Sequence, residues 1–340
     1  MSHDFYLEYD LPSSHIKHPS QYQRVTEMMP SYLDRFAELY ERQGRQVEIM
    51  NGKLWVNYGR LIIPIGPISK DYSISEEQAH QLMKMIPGSL MVRYSHNNNT
   101  NGCKEWYAII CDNFLELGGM RRKRRNEIRR GLKHCDIRQL DAAFIAKHGY
   151  DVYFPAFSRY QGTLKPIGIK EYKNMINATI NFDDIYHYWG AFYQNKLVGY
   201  MVVALYGKEE ADISVGKFIP EYLRYHPSDA LVQTVVEYYL QNELISYLNS
   251  GYRNMYHKTS VQEYLLVKFN FKKSYLNLKV TYSTLLNYII KMTFPLRGWL
   301  SKIHGDLGSI YMLEEIRKKC ELADYYHRRD NLEEEEKCVS

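Results

Sequence analysis

The sequence predicts a mixed α/β fold of the α+β class, with two lobes that each combine a mixed, mostly antiparallel sheet with flanking helices. Residues 188–282 predict the element order β-β-β-α-β-α-β, which combines hairpins with crossover connections. Residues 32–111 predict a helix, a β-hairpin, a strand, a helix and two strands. A chain of 340 residues can bury the core that two medium domains need.

The first lobe, residues 1–119, is predicted from turn and helix-start patterns. Asn51-Gly52 favours the positive φ angles of a two-residue hairpin turn between strands at 46–50 and 53–58. The segment Ser75-Glu76-Glu77 is typical of a helix start. The other predicted elements of this lobe are helices at 32–43 and 79–86 and strands at 61–65, 90–94 and 106–111.

Residues 120–140 are predicted to connect the lobes through a basic helix at 120–134 and a strand that starts at 137. Residues 121–130 carry seven basic side chains and one acidic one, a net charge of +6, whereas the whole chain has +5. The rest of the protein therefore sums to −1, so this is a neutral protein with one basic cassette. On a helix, Ile128 and Leu132 define the predicted buried stripe, and Arg121 and Arg125 fall on the same stripe.

The second lobe, residues 141–283, contains a predicted hairpin with its turn at 194–196 and a predicted amphipathic helix that begins at Ser228-Asp229. A helical extension, residues 284–340, follows it. The second lobe's other predicted elements are helices at 150–160, 170–180 and 261–269 and strands at 188–193, 197–206, 211–218, 254–257 and 275–282. The extension is predicted to contain helices at 284–302 and 310–326 and an acidic segment at 333–336.

Three segments resemble known motifs of the GNAT-like acyltransferase superfamily. Residues 190–200, GAFYQNKLVGY, resemble the hairpin that ends in Val-Gly-Tyr in these proteins, and residues 266–271, LVKFNF, resemble the box before the final strand. Residues 124–133, RRNEIRRGLK, resemble the segment that joins the two lobes of Fem-like proteins, the peptidoglycan aminoacyl transferase-like branch. The resemblance implies two GNAT-like lobes, of which residues 1–119 form the degenerate one.

The same resemblance implies an acyl or aminoacyl transferase that acts on an amine or a hydroxyl, with a phosphate-bearing cell-envelope or glycan precursor as acceptor. The implied co-substrate is acyl-CoA or aminoacyl-tRNA, and no permanently bound cofactor is expected. The resemblance places Tyr225 and Ser228 at the acyl-donor site. Residues 221–229 contain no glycine, and Leu266 stands where many GNAT enzymes have a catalytic tyrosine. These departures argue against acyl-CoA, whereas the sequence contains no visible inserted coiled-coil arm, which argues against tRNA, so both donors stay open.

Residues 256–262 place polar side chains between a predicted strand end and a helix, the usual location of α/β sites. His257 is a candidate general base, and Thr259 is a candidate donor to a tetrahedral oxyanion. Tyr256 and Gln262 are candidate substrate-binding residues beside them. The alternative is that Thr259 or Ser260 only caps the helix and His257 is a hydrogen-bonded turn residue.

A second candidate base lies at the start of a strand. Asp212, between Ala211 and Ile213, is the preferred carboxylate, whereas an exposed turn accounts equally well for Glu209 and Glu210.

The arginines of the basic cassette have two interpretations. Arg121, Arg125 and Arg129 are candidate substrate-binding residues, because a guanidinium matches the geometry of a diphosphate or phosphodiester. A solvated or lobe-bridging helix face with ordinary ion pairs is the slightly favoured alternative. Nucleic-acid binding, including tRNA, is a rival use of the same residues, although a broader basic surface is usual for it. A transferase fold that binds a phosphorylated ligand without catalysis is a further alternative.

The remaining patterns concern location and partners. The polar segment 1–30 argues against a signal peptide, and five cysteines without metal-ligand spacing predict reduced thiols in a cytoplasmic protein with no metal site. The apolar helix at 285–300 either lies on a membrane surface or packs against the second lobe, and packing is favoured. The 32 tyrosines suit clefts and wet interfaces. The sequence does not determine the oligomeric state.

Overall fold

The structure is a computed structural model that describes residues 31–96, 103–157, 166–254, 261–303 and 305–339, which form two sheets with flanking helices. The first elements are α1 (Tyr32–Arg42), β1 (Val47–Met50), β2 (Lys53–Tyr58), β3 (Leu61–Ile65), α2 (Glu76–Met85), β4 (Met91–His96) and β5 (Tyr107–Cys111). They are followed by α3 (Arg122–His134), β6 (Asp136–Leu140), α4 (Ala142–His148), α5 (Tyr150–Phe157), α6 (Ile169–Asn177), β7 (Tyr186–Tyr193), β8 (Lys196–Tyr206) and β9 (Glu210–Phe218). The last elements are α7 (Pro227–Glu237), β10 (Tyr247–Tyr252), α8 (Val261–Lys268), β11 (Lys272–Tyr275), β12 (Asn277–Tyr282), α9 (Thr284–Thr293), α10 (Arg297–Ile303) and α11 (Gly305–Val339).

The local patterns that predict turns and helix starts are confirmed. Asn51 and Gly52 have φ angles of 54° and 67°, as a two-residue turn between β1 and β2 requires. The Ser75 hydroxyl accepts a hydrogen bond from the Gln78 N–H at the start of α2, and the Gln78 side chain accepts one from the Ser75 N–H. These contacts satisfy two backbone donors that the first helical turn leaves free.

Each sheet is completed by a strand from the other part of the chain. The five-stranded sheet has the order β1-β2-β3-β4-β12, and the seven-stranded sheet has the order β11-β5-β10-β9-β8-β7-β6. Both contain a central parallel pair, β3 with β4 and β9 with β10, whose second strand pairs antiparallel with the exchanged strand. The sequence order places β5 in the first lobe and β12 in the second, so it does not reveal this exchange, which joins the two lobes through their backbones.

The basic helix α3 packs on the first turn of α7 through a different face from the one predicted. Ile128 and Gly131 are buried, but Leu132 is 42% exposed, so the prediction that Leu132 belongs to the buried stripe is wrong. Gly131 allows this close approach because a Cβ atom there would lie 2.4 Å from the His226 carbonyl oxygen. The first turn of α7 therefore lies directly against the backbone of α3.

One predicted helix is divided, and two other predictions extend into residues that the structure does not describe. The strand predicted at 254–257 lies, except for Asn254, outside the described residues, and β10 ends before it at Tyr252. The helix predicted at 150–160 ends at Phe157 within the described chain. The helix predicted at 284–302 is divided into α9 and α10 by a short 3-10 turn that contains Pro295, a residue that cannot donate a helical hydrogen bond.

Gly131→Ala tests the close packing of α3 on α7. The added methyl group would overlap the His226 carbonyl oxygen, so we expect a loss of about 1–3 kcal/mol in the free energy of unfolding, measured by urea denaturation. Gly298→Ala in α10 is the matched control, because a Cβ atom there meets no neighbour. It should leave stability unchanged or raise it by up to about 1 kcal/mol. Equal midpoints for the two variants would contradict this packing.

Candidate active-site cleft

The two parallel strands at the centre of the seven-stranded sheet separate soon after they pair. Glu210, Ala211 and Asp212 of β9 lie opposite Tyr247, Leu248 and Asn249 of β10. Strand β9 continues to Phe218 without this partner, and the pairing of β10 with β5 is irregular between Asn249 and Tyr252. The strands therefore diverge beyond Asp212, on the side where β9 leads to α7, and we refer to the gap between them as the cleft. Such a gap at a strand end is a usual place for a ligand site.

Alternation along β9 directs its polar side chains towards the first lobe. Ala211 and Ile213 pack in the core beneath α7, so Glu210, Asp212 and Ser214 lie on the opposite face. Their partners on β8 confirm this direction, because Tyr206 pairs with Glu210, Ala204 pairs with Asp212, and both partners pack against Phe36 and Leu54 of the first lobe. Glu210 and Asp212 therefore lie between the sheet and the first lobe, and of the two only Asp212 is partly exposed.

Glu210 is fully buried and is held by three donors. Its carboxylate accepts hydrogen bonds from the Tyr247 hydroxyl at 2.7 Å, the Asn249 amide at 2.9 Å and the backbone N–H of Ile68 at 2.7 Å. Burial raises the pKa of Glu210 to about 7, although these hydrogen bonds oppose the shift. The interpretation of Glu210 as an exposed turn residue is wrong, whereas Glu209 is exposed. Ile68 follows β3, so Glu210 links the two lobes.

Asp212 has a different environment, since its side chain is partly exposed to the cleft. Burial raises the pKa of Asp212 to about 8, and the nearby Glu210 carboxyl contributes to the increase. Within the described ranges, no side chain or backbone group forms a hydrogen bond with its carboxylate. Asp212 was predicted as a catalytic residue, and the structure places it at the floor of the cleft as a carboxyl group available to a ligand.

Tyrosines from both lobes surround Asp212. The Asp212 carboxyl contributes to the raised pKa values of Tyr40, Tyr186, Tyr206 and Tyr252. Burial is the main cause, and it raises the pKa of both Tyr186 and Tyr252 to about 12. All four hydroxyls therefore stay protonated at neutral pH and can donate hydrogen bonds. A carboxylate floor with tyrosine walls favours a ligand that carries a cation and polar groups.

The first turn of α7, where GNAT proteins bind an anion, is filled by the protein's own side chains. His226 has a φ angle of 61° and precedes the helix, so the predicted start at Ser228 is one residue late. The buried Asp229 carboxylate accepts hydrogen bonds from the Tyr264 hydroxyl at 2.8 Å and the Lys268 ammonium at 2.9 Å, and it lies 2.8 Å from His226 Nδ1. Lys268 also bridges Glu127 of α3 at 2.7 Å. A carboxylate and the backbone of α3 thus occupy the space beside these amides.

The predicted donor-site residues border this filled helix start. Ser228 lies in the first turn of α7, and Tyr225 ends the 3-10 helix Pro220–Tyr225. The Tyr225 ring stacks on Tyr193 with 4.1 Å between centroids, and the Arg224 guanidinium lies 4.9 Å from the Tyr225 ring. His134 of α3 contacts the same ring edge-on. The result is a surface of aromatic and basic side chains next to the basic cassette.

The predicted substrate-binding arginines do not meet Asp212. Helix α3 packs with α7 in the core beneath the seven-stranded sheet, on the opposite face from the carboxyl groups. Arg121 and Arg129 are exposed there, and Arg125 is half-buried. The Gln262 amide donates to the Tyr252 carbonyl at 2.9 Å and so attaches α8 to β10. Tyr256, His257 and Thr259 lie outside the described residues.

The sequence left Glu210 open between a site carboxylate and an exposed turn, and it did not indicate the tyrosines around Asp212. The alternation Glu210-Ala211-Asp212-Ile213-Ser214 already puts both carboxyl groups on one face of a strand, so this pattern could have identified Glu210. The tyrosines come from α1, β7, β8 and β10, and no local pattern connects them.

Comparison with known proteins supports the fold. No protein-family model and no curated protein matches the sequence. The solved carboxyl-terminal (DUF2156) domain of a putative lysylphosphatidylglycerol synthetase from Agrobacterium fabrum superposes with a TM-score of 0.50 and 14% identity, over 78% of this chain and 93% of that one. FemX superposes with a TM-score of 0.50 and 9% identity, over 75% and 92% of the two chains. The chain therefore has the two-lobed, GNAT-like fold of Fem-like proteins.

Proposed function

We propose that the protein is an acyl or aminoacyl transferase whose acceptor amine or hydroxyl loses its proton to Asp212. The observation that carries the proposal is a carboxylate with a pKa near neutrality, without a hydrogen-bond partner in the described chain, at the floor of a cleft where two parallel strands separate. A general base works best when its pKa lies near the working pH. The fold shared with FemX supports group transfer as the reaction class.

The mechanism follows from the positions around Asp212. The acceptor nitrogen or oxygen bonds to the carbonyl carbon of the donor ester while its proton passes to the Asp212 carboxylate. The carbonyl oxygen becomes an oxyanion, which protonated tyrosine hydroxyls stabilise by hydrogen bonds. The intermediate then expels the leaving oxygen, which takes the proton from Asp212. Glu210, held by three donors, keeps β9 and β10 in place during these steps.

Aminoacyl-tRNA fits the described residues better than acyl-CoA. A CoA diphosphate on the first turn of α7 would meet the Asp229 carboxylate and the backbone of α3. Charged RNA instead requires exposed cations and aromatic rings, which α3 and Tyr225 present on the other face of the sheet. The ammonium of an aminoacyl group suits the carboxyl groups and tyrosine walls. By analogy with the fold's relatives, we propose a phosphate-bearing cell-envelope or glycan precursor as acceptor.

Asp212→Asn tests the base. The kcat/KM for transfer of label from bulk tRNA charged with radioactive amino acids should rise about tenfold per pH unit up to about pH 8, because it reports the free enzyme, in which Asp212 must lose its proton to act. The variant should be about 10²–10⁴-fold slower and lose this dependence on pH.

Acceptors in the assay are phosphatidylglycerol vesicles, a nucleotide-linked amino sugar and small amines. Asp183→Asn, at an exposed aspartate, is the control and should match the wild type. Binding of charged tRNA without transfer to any acceptor would instead identify a binding protein.

The stability of the same variant tests the environment of Asp212 without any substrate. Because the folded-state pKa lies above the usual value, folding favours the protonated acid. This contribution is complete below about pH 4 and is lost as the pH rises towards about 8. Asp212→Asn should therefore be more stable than the wild type at pH 9 by at least about 1 kcal/mol, with little difference at pH 4. Thermal unfolding of both proteins at pH 4 and pH 9 measures this difference in stability. If the difference is the same at both pH values, Asp212 is well solvated.

The double variant Arg121→Ala/Arg129→Ala tests RNA binding by the basic cassette. Each lost phosphate contact weakens binding and its salt dependence, so the KM for charged tRNA should rise several-fold while kcat stays unchanged. Lys170→Ala/Lys173→Ala on α6 removes the same charge elsewhere and should have little effect. Equal KM values for the two double variants would exclude the cassette from donor binding.

A further inference from the structure

The helices α9 and α10 expose a continuous stripe of large apolar side chains. Leu285, Tyr288, Met292 and Trp299 are 63–69% exposed, and Ile289 and Leu296 lie between them with 43% and 59%. Their spacing along the chain, of three, one, three, four and three residues, follows one side of a helix. The division at Pro295 does not interrupt this spacing.

The opposite side of α9 explains what holds it on the protein. This side packs in an apolar cluster through Leu286, Ile290 and Phe294. The cluster includes Trp106, which directly precedes β5, and Leu313 of α11. The prediction that this segment packs on the protein therefore accounts for one face only. Across the part of the chain that the structure describes, nothing covers the exposed stripe.

All charged side chains within α9 and α10 are basic. Residues 284–303 contain Lys291, Arg297 and Lys302 and no aspartate or glutamate. Arg297 is paired with Glu315 of α11, whereas Lys291 and Lys302 are exposed. Tyrosine and tryptophan at 288 and 299 are the aromatic residues that prefer the boundary between lipid headgroups and acyl chains.

We propose that α9 and α10 bind the surface of an anionic phospholipid bilayer, with the stripe placed at the headgroup boundary. Basic residues beside an apolar stripe are typical of helices that lie in this plane. No helix in the described residues is long and apolar enough to cross a membrane. A second copy of the chain is a poorer partner, because a twofold contact of this stripe with itself would bring lysines together without any acid to pair with them.

The four tryptophans make a direct measurement available. Trp55, Trp106 and Trp189 are at most 5% exposed, so Trp299 is the solvent-facing one. With vesicles of phosphatidylglycerol and phosphatidylcholine, we expect the emission of the full chain to shift to the blue and brominated lipids to quench it. Trp299→Phe should keep vesicle binding in sedimentation but lose the shift. An unchanged emission spectrum together with no sedimentation of the wild type would overturn the proposal.

Two pairs of variants separate the apolar and charged contributions. Met292→Glu/Trp299→Glu should reduce vesicle binding at least tenfold, since two apolar side chains no longer enter the boundary. Ile169→Glu, at an exposed apolar residue that starts α6, is the control. Lys291→Gln/Lys302→Gln should weaken binding about fivefold per lysine at low salt, compared with Lys170→Gln/Lys173→Gln. If Met292→Glu/Trp299→Glu binds vesicles as tightly as the wild type, the stripe has another partner. The same follows if the wild type is a dimer that this variant dissociates.

Discussion

The buried carboxyl group of Glu210 is the interaction on which the arrangement of the two lobes depends. A carboxyl group with no solvent exposure is stable only when donors replace its water, and the three donors here come from β10 and from the loop after β3. Removal of any donor would leave a desolvated acceptor unpaired. The requirement fixes the first lobe against β9 at Glu210, where the pairing of β9 with β10 begins. Asp212, two residues further, is thereby held where the strands separate.

The strand exchange has a related consequence, because it couples the lobes through backbone hydrogen bonds. Strand β5 pairs with β10, which carries Tyr247 and Asn249, and β12 pairs with β4 of the first sheet. Neither sheet has its full set of strands without the other half of the chain. The cleft between the lobes is consequently formed by one rigid framework, which is what a site needs when catalysis depends on positioning.

The sequence predicted the local features and not the long-range ones, for physical reasons. The turn at Asn51-Gly52 and the cap at Ser75 depend on neighbouring residues, so their patterns are sufficient. The exchange of β5 and β12 depends on partners far away along the chain, and short apolar strands contain no information on their partner. Asp212 could be chosen from its apolar neighbours, whereas Glu210 at a strand start resembles any polar turn. The exposure of Leu132 followed from the contact of Gly131 with α7, which helical periodicity does not determine.

The start of α7 has the backbone geometry of an anion site, but one of the protein's own carboxylates occupies it. A helix start with free amides attracts any anion, and here the anion is the Asp229 carboxylate, neutralised by Lys268 and held under α3. The network now joins three helices, so a mobile diphosphate cannot replace it without leaving Lys268 and Glu127 unpaired.

The two carboxyl groups on β9 connect the proposed aminoacyl donor to catalysis. Burial and the Glu210 carboxyl raise the pKa of Asp212 to about 8, so at neutral pH Asp212 in the empty cleft is mostly protonated and inactive as a base. A donor with a neutral acyl group would leave Asp212 protonated. An aminoacyl donor brings an ammonium, and a cation near two carboxyl groups lowers both pKa values. In the proposed reaction the correct donor therefore generates its own base, because Asp212 ionises when the ammonium enters the cleft.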